Sequence, residues 1–292
     1  MPFVTSDRFA RLAPAERDRL EAISKLDQFG AGAELASFAR PSEWLYLLET
    51  GAVETRVSGP SGELTLCKLG PGDLVGELDS FVDPAGMETV GLRRVATEDT
   101  IVRAIAKNTL LQEMKARRPL ALDLLFVYAR SISEKIRQAN DVALRVGPPK
   151  KPLPGGPPHL GAADVQWLAM LGAGVEHDAS AVIVAEGETT RSFYVIASGR
   201  AEVRKNTPSG ERVLATFGPG DMFGVMAFVD GKPRSATVAS LGPASFVRVE
   251  PEALEQALEV NFTVGFKFLG TLCQVLGRTF KDTAQNVAAA LT

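Results

Sequence analysis

The sequence predicts a mainly β fold with helices: two antiparallel jelly-roll (double-stranded β-helix) barrels, each flanked by an N-terminal helix and C-terminal helices. Three observations carry this. Five glycine pairs, Gly51 and Gly199, Gly62 and Gly210, Gly70 and Gly218, Gly72 and Gly220, Gly76 and Gly224, are each separated by 148 positions, which marks an internal duplication. Short alternating apolar segments rich in Val, Ile, Leu and Tyr run between them, broken at roughly ten-residue intervals by Gly, Pro, Ser and Asp, the pattern of an antiparallel barrel. Helical periodicity brackets each run.

In chain order, each copy opens on an amphipathic helix, with Phe9, Leu12, Leu20, Ile23 and Leu26 in the first and Val165, Leu168 and Leu171 in the second. WLYLLETGAVETRV then matches SFYVIASGRAEVRK, and PSGE recurs at 60–63 and 208–211. The quartet GPGD at 70–73 and 218–221 places Pro second and Gly third in a type II turn. Closing helices follow, with Pro119 and Pro251 where a first-turn proline is tolerated and Asn108 and Asn261 as N-caps. Their apolar stripes are Leu120, Leu124, Tyr128, Ile132 and Ile136 in the first copy and Phe262, Phe266, Leu269, Cys273, Leu276 and Phe280 in the second. The first turns suit packing on their own barrel, and the remainder suits helix-to-helix contact between copies or chains. Pro and Gly dominate from Gly147 to Pro158, which cannot continue a helix. The expected organisation is therefore a domain over 1–146, a linker over 147–158 and a second domain over 159–292.

Composition narrows the function. A chain of 292 residues, 45% hydrophobic and 23% charged, matches a globular protein of two ordinary domains. No apolar run approaches the ~20 residues of a membrane span, and the N-terminus lacks the basic-then-apolar order of a signal peptide. A cytoplasmic location without membrane association is expected. Cys67 and Cys273 sit in apolar surroundings and predict no disulfide framework, while His159 and His177 have no metal-ligand spacing. A formal charge of -3 with no basic run argues against DNA binding. No phosphate-binding glycine-lysine loop, nucleophile elbow or HExxH occurs, so no catalytic residue, metal or cofactor is assigned and the chain is expected not to be an enzyme. Asp79 and Asp83 read as solvated loop charges.

Strand-glycine-strand, then Gly-x-Gly-Asp-x-x-Gly-Glu-Leu, then a loop to Arg-x-Ala-Thr, then a long helix, resembles the cyclic nucleotide-binding domain, present here twice. That family includes catabolite activator proteins, kinase regulatory subunits and certain ion channels. The phosphate-binding cassette would run from Gly72 to Thr97 and from Gly220 to Thr237. A short helix after Gly76 would turn the N–H groups of Glu77 and Leu78 toward an anion. The resemblance implies that Arg94, beside Val95, grips the phosphate through a forked contact and that Glu77 accepts a hydrogen bond from the ribose 2'-hydroxyl. The base would lie against the long helix, near Tyr128 and Ser131. Cyclic AMP or cyclic GMP is the implied ligand.

The two copies depart from the pattern in opposite ways. Gly76 to Arg94 spans 18 positions and includes the insertion DPAGMETVG, whereas Gly224 to Arg234 spans 10. The second copy keeps this spacing but has Val225 in place of the glutamate. There Gly224, the N–H groups of Val225 and Met226, Arg234 and Ser235 form a degenerate site, with the arginine expected to face solvent or an internal acid. Arg93 offers an alternative phosphate ligand and, with the larger loop, a place for a cyclic dinucleotide. Two functions stay open: a sensor that binds a cyclic nucleotide in the first domain and signals through helix movement to a protein partner, or a scaffold that kept the barrels and lost the ligand. Without a helix-turn-helix after either copy, DNA is not the expected partner, and the long apolar helices suit a homodimer.

Overall fold

A computed structural model describes residues 3, 5–37, 41–82, 91–147, 160–207 and 210–291. Residues 83–90 of the insertion, Asp83 among them, most of the Pro/Gly linker and His159 lie outside them. The described chain divides into two compact units, Met1–Leu153 with Cys273–Thr292, and Pro154–Leu272. Residues 273–292 thus group with the first unit, although they follow the second in sequence.

In the first unit a 3-10 turn, Asp7–Phe9, precedes α1, Pro14–Ile23. The expected opening helix is shorter than its apolar spacing suggests, because Ser24 ends it and Leu26 falls in strand β1, Lys25–Phe29, where it is 59% exposed. The barrel continues with β2 (Glu34–Ser37), β3 (Trp44–Thr50), β4 (Val53–Gly59), β5 (Gly62–Leu69), β6 (Leu74–Val75), β7 (Arg93–Ala96) and β8 (Thr100–Ala106). Two antiparallel sheets result, ordered β1-β8-β3-β6 and β2-β7-β4-β5. Helices α2, Lys107–Ala116, and α3, Arg118–Val146, follow.

The second unit repeats this plan with α4 (Ala162–Leu171), β9 (Ala173–His177), β10 (Val182–Val184), β11 (Phe193–Ser198), β12 (Ala201–Thr207), β13 (Gly210–Phe217), β14 (Met222–Phe223), α5 (Val225–Asp230), β15 (Thr237–Ser240) and β16 (Ala244–Val249). Its sheets are ordered β14-β11-β16-β9 and β10-β15-β12-β13, the same two orders once strands are matched. Helix α6, Pro251–Val260, leads into α7, Phe262–Ala290, which begins in the second unit and ends in the first.

Local chemistry explains the turns and ends. Asp73 N–H donates to the Gly70 carbonyl at 3.0 Å and Gly72 has φ 90°, so GPGD closes a type II turn; Asp221, Gly218 and Gly220 repeat it. The Asp73 and Asp221 carboxylates also accept from the N–H of Gly70 and Gly218. Pro119 and Pro251 lie in the first turns of α3 and α6. Asn261 caps α7 by accepting from the Val264 N–H at 3.2 Å, but Asn108 lies inside α2, whose N-cap is Ala106. All five residues of the first closing stripe are buried; in the second, Leu269, Cys273, Leu276 and Phe280 are buried and Phe266 is exposed. Both cysteines are free. No helix among the described residues is long and apolar enough to cross a membrane.

Strand register corrects one correspondence drawn from sequence. Val53 of β4 faces Ala96, and its counterpart Ala201 of β12 faces Ser240. Along the same pairs Thr55 faces Arg94, whereas Val203 faces Val238. Arg94 therefore occupies the place of Val238 and not that of Arg234, which precedes β15. The shared Arg-x-Ala-Thr text is four residues out of structural register, because the added residues between cassette and strand shift the motif along β7.

Candidate functional site

Within each cassette a two-residue strand gives way to a glycine with positive φ, 104° at Gly76 and 80° at Gly224. The space excludes a side chain as well. A Cβ on Gly76 would collide with the Trp44 carbonyl oxygen, and one on Gly224 would sit 2.7 Å from Arg234 Nη1. Glycine lets the backbone pass there and turn into a short helix, a 3-10 turn at Leu78–Ser80 in the first unit and α5 in the second.

In the first unit the sequence-predicted residues converge but meet one another's side chains. Glu77 is 1% exposed; its Oε1 accepts from Ser131 Oγ at 2.9 Å and is ion-paired with Lys135 Nζ. Lys135, itself 3% exposed, also donates to the Leu74 carbonyl at 2.8 Å. Burial by itself raises the Glu77 carboxyl, but Lys135, Arg94 and a backbone N–H together outweigh it and hold the group below the usual carboxylate range. Arg94 is 2% exposed and its Nη1 lies 2.7 Å from Asp79 Oδ1. Asp79 was expected as a solvated loop charge; instead its side chain has no exposed surface, and its Oδ2 accepts from the Ser42 N–H at 3.1 Å with Lys107 Nζ 3.9 Å away.

The remaining first-copy residues divide by face. Leu78 is buried, and Tyr128 is buried with its ring edge-on to Phe81 at 5.8 Å between centroids. Burial pushes the Tyr128 hydroxyl well above its ordinary value. Val95 follows Arg94 along β7, so its side chain lies on the opposite face of the sheet. Arg93 shares that other face, exposed and paired with Glu63 at 2.6 Å, so the two arginines do not converge on one phosphate.

Lys135 and Asp79 were the residues sequence reasoning missed. Tyr128, Ser131 and Lys135 follow a three-then-four spacing, which puts them on one helix face. A lysine on a face otherwise expected to be buried was the available signal. For Asp79 the signal was the duplication: 148 positions on, the second copy has Ala227.

In the second unit Arg234 is 4% exposed, so it neither faces solvent nor meets an internal acid as the sequence led us to expect. Its Nη1 donates to the Gly224 carbonyl at 3.0 Å, and its Nη2 to Thr190 Oγ1 at 3.1 Å and the Ser192 carbonyl at 2.5 Å. Its Nε has no hydrogen-bond partner among the described residues. The Glu188 carbonyl accepts from the Arg234 N–H at 2.8 Å, while its carboxylate accepts from the Thr190 hydroxyl at 2.6 Å. Burial lowers the guanidinium pKa, as it does for any cation removed from water. Val225 is buried at the start of α5, followed by half-buried Met226. Half-buried Ser235 presents its carbonyl to Lys205 at 2.7 Å.

Comparison with known proteins agrees with this architecture. Residues 175–261 match the family model of the cyclic nucleotide-binding domain. A cAMP-dependent protein kinase regulatory subunit from Mycosarcoma maydis is 24% identical over 283 residues, covering 91% of this chain and 47% of that protein. A CRP-like cAMP-activated global transcriptional regulator from Mycobacterium tuberculosis is 28% identical over 106 residues, covering 36% of this chain and 47% of its own length. Among solved structures, "cAMP bound PfPKA-R (141-441)" aligns over 88% of this chain and 81% of that one, with 18% identity and a TM-score of 0.35. The chain spans about half the length of these curated relatives. The family match falls within the second unit, and the first unit repeats that unit's two sheet orders.

Proposed function

We propose that the protein is a regulatory module that takes up a cyclic nucleotide and passes its occupancy, through the closing helices, to a protein partner. The sequence placed the ligand in the first domain; the geometry favours the second. The observation that carries this is Arg234, a buried guanidinium with no carboxylate within ion-pair distance among the described residues, bonded to two backbone carbonyls and a hydroxyl. A buried cation without a counter-ion is costly, and a bound anion removes that cost. The match of 175–261 to the cyclic nucleotide-binding domain supports a cyclic phosphate as the anion.

Val225 at the glutamate position leaves no carboxylate for a ribose hydroxyl, so affinity rests on the phosphate contacts and the base. The Mycosarcoma relative, a cAMP-dependent protein kinase regulatory subunit, supports a protein as the responding partner. A ligand acts on that partner only through different affinities for two states of the chain.

The test is calorimetric titration of the full chain with cyclic AMP and cyclic GMP, beside Arg234→Lys and Arg94→Lys. One equivalent is expected to bind, with Arg234→Lys weakening it at least tenfold and Arg94→Lys leaving it within about twofold. No heat and no thermal shift with either nucleotide would sink the proposal.

A further inference from the structure

The first barrel buries ion pairs, whereas the buried charge of the second, Arg234, has no ion-pair partner among the described residues. Asp79, with no exposed side-chain surface, is held by a guanidinium at 2.7 Å, a backbone N–H at 3.1 Å and an ammonium at 3.9 Å. Two cations within ion-pair distance and one hydrogen-bonded N–H compensate this buried carboxylate much as they would a bound anion. The fold does not demand it, because the counterparts of Asp79 and Arg94 in the second unit are Ala227 and Val238, both buried and apolar.

We infer that the first domain is filled by its own side chains: Asp79 is a built-in anion on the Arg94, Lys107 and Ser42 N–H site, and this domain takes up no external cyclic phosphate. Glu77 is engaged in the same manner by Ser131 and Lys135 of α3. Helices α3 and α7 are both 29 residues long, and at the matching places α7 carries Val275 and Thr279, which offer no cation. The cassette is also covered from outside. A Cβ on Gly277 of α7 would lie 3.0 Å from Val82 and 3.3 Å from the Phe81 carbonyl oxygen, so this helix seats directly on the residues after the 3-10 turn. A tethered carboxylate competes at an effective concentration of about millimolar or more. An external phosphate would have to expel it from a site where its side chain has no exposed surface.

The inference concerns the first domain alone, and its test separates the two sites. In the full chain, Arg234→Lys disables the second site, and Asp79→Ala or the isosteric Asp79→Asn is added to it. The probes are inorganic phosphate and cyclic AMP, read by equilibrium dialysis and thermal unfolding. Arg234→Lys alone is expected to bind cyclic AMP at least tenfold more weakly than wild type and to show no phosphate-dependent shift. Either Asp79 variant is expected to unfold several degrees lower, and millimolar phosphate or cyclic AMP should restore part of that loss, an effect removed by Arg94→Met.

Retention of one equivalent of cyclic AMP by Arg234→Lys, lost on Arg94→Met, would show the first site to be open and overturn the inference. Folded Asp79 variants indifferent to both anions would overturn it too. The dialysis arm does not depend on how well those variants fold. If the Arg234 reading fails, wild type binds nothing, and the anion response of the Asp79 variants still decides this one.

Discussion

Glu77 shows why single residues resist assignment from sequence. A glutamate after a cassette glycine carries the resemblance, yet its contacts here are Ser131 and Lys135, which lie 54 and 58 positions further along the chain. Nothing local to 76–78 reveals that partner, and only a helix-face count from Tyr128 would have found Lys135. The pair also fixes what its loss should do. Lys135→Met leaves a fully buried carboxylate without its ion-pair partner, and breaking a buried pair in this way costs about 3–5 kcal/mol. Glu77→Gln added to Lys135→Met removes the stranded charge and is expected to recover most of it. Urea unfolding of the two variants checks this, and equal stability of both would show that the ion pair carries no such coupling.

Elements were legible where a period or a turn residue dictates them and not where only pairing does. The GPGD turns, the short segments between the duplicated glycines and the two long closing helices follow from local pattern. The register of β7 does not, since Arg-x-Ala-Thr reads identically whether Arg94 corresponds to Arg234 or, as the ladder with β4 shows, to Val238. Leu26 was misplaced for a related reason: helical spacing continued by chance into an exposed strand. The caps divide in the same way. Asn261 stands one residue before α7 and its side chain meets the Val264 N–H, whereas the Asn108 side chain meets only its neighbour Thr109. Asn261→Ala should therefore cost about 1 kcal/mol and Asn108→Ala much less, measured by thermal unfolding; the reverse order would mean that α7 is held without its cap.

At the scale of the molecule, duplication was readable from the 148-residue spacing, but the division of labour between the copies was not. Sequence kept Glu77 in one copy and the arginine spacing in the other, and the three-dimensional partners of both decide which barrel is filled. The path of the last helix was equally hidden, because an apolar stripe shows that a helix is covered and not by what. Residues 273–292 join the first unit: Thr283 Oγ1 donates to Asn140 Oδ1 at 3.2 Å, the Leu291 carbonyl accepts from the Ser61 N–H at 2.8 Å, and Cys273, Val275, Leu276, Phe280, Ala284 and Val287 are buried. Deep burial also raises the Cys273 thiol well above its ordinary value and pushes Cys67 up to about 12, leaving both unreactive while this packing holds. Ending the chain after Leu272 should therefore act on the barrel at the opposite end of the sequence. Each large apolar side chain removed forfeits roughly 1.5–3 kcal/mol of burial, which together exceeds the margin of most domains. The expected result is alkylation of Cys67 at pH 8 in the truncated chain but not in the full one. Phe280→Ala should give a partial effect, at about 3–5 kcal/mol. A truncated chain whose Cys67 stays protected would show that the first barrel closes without this helix.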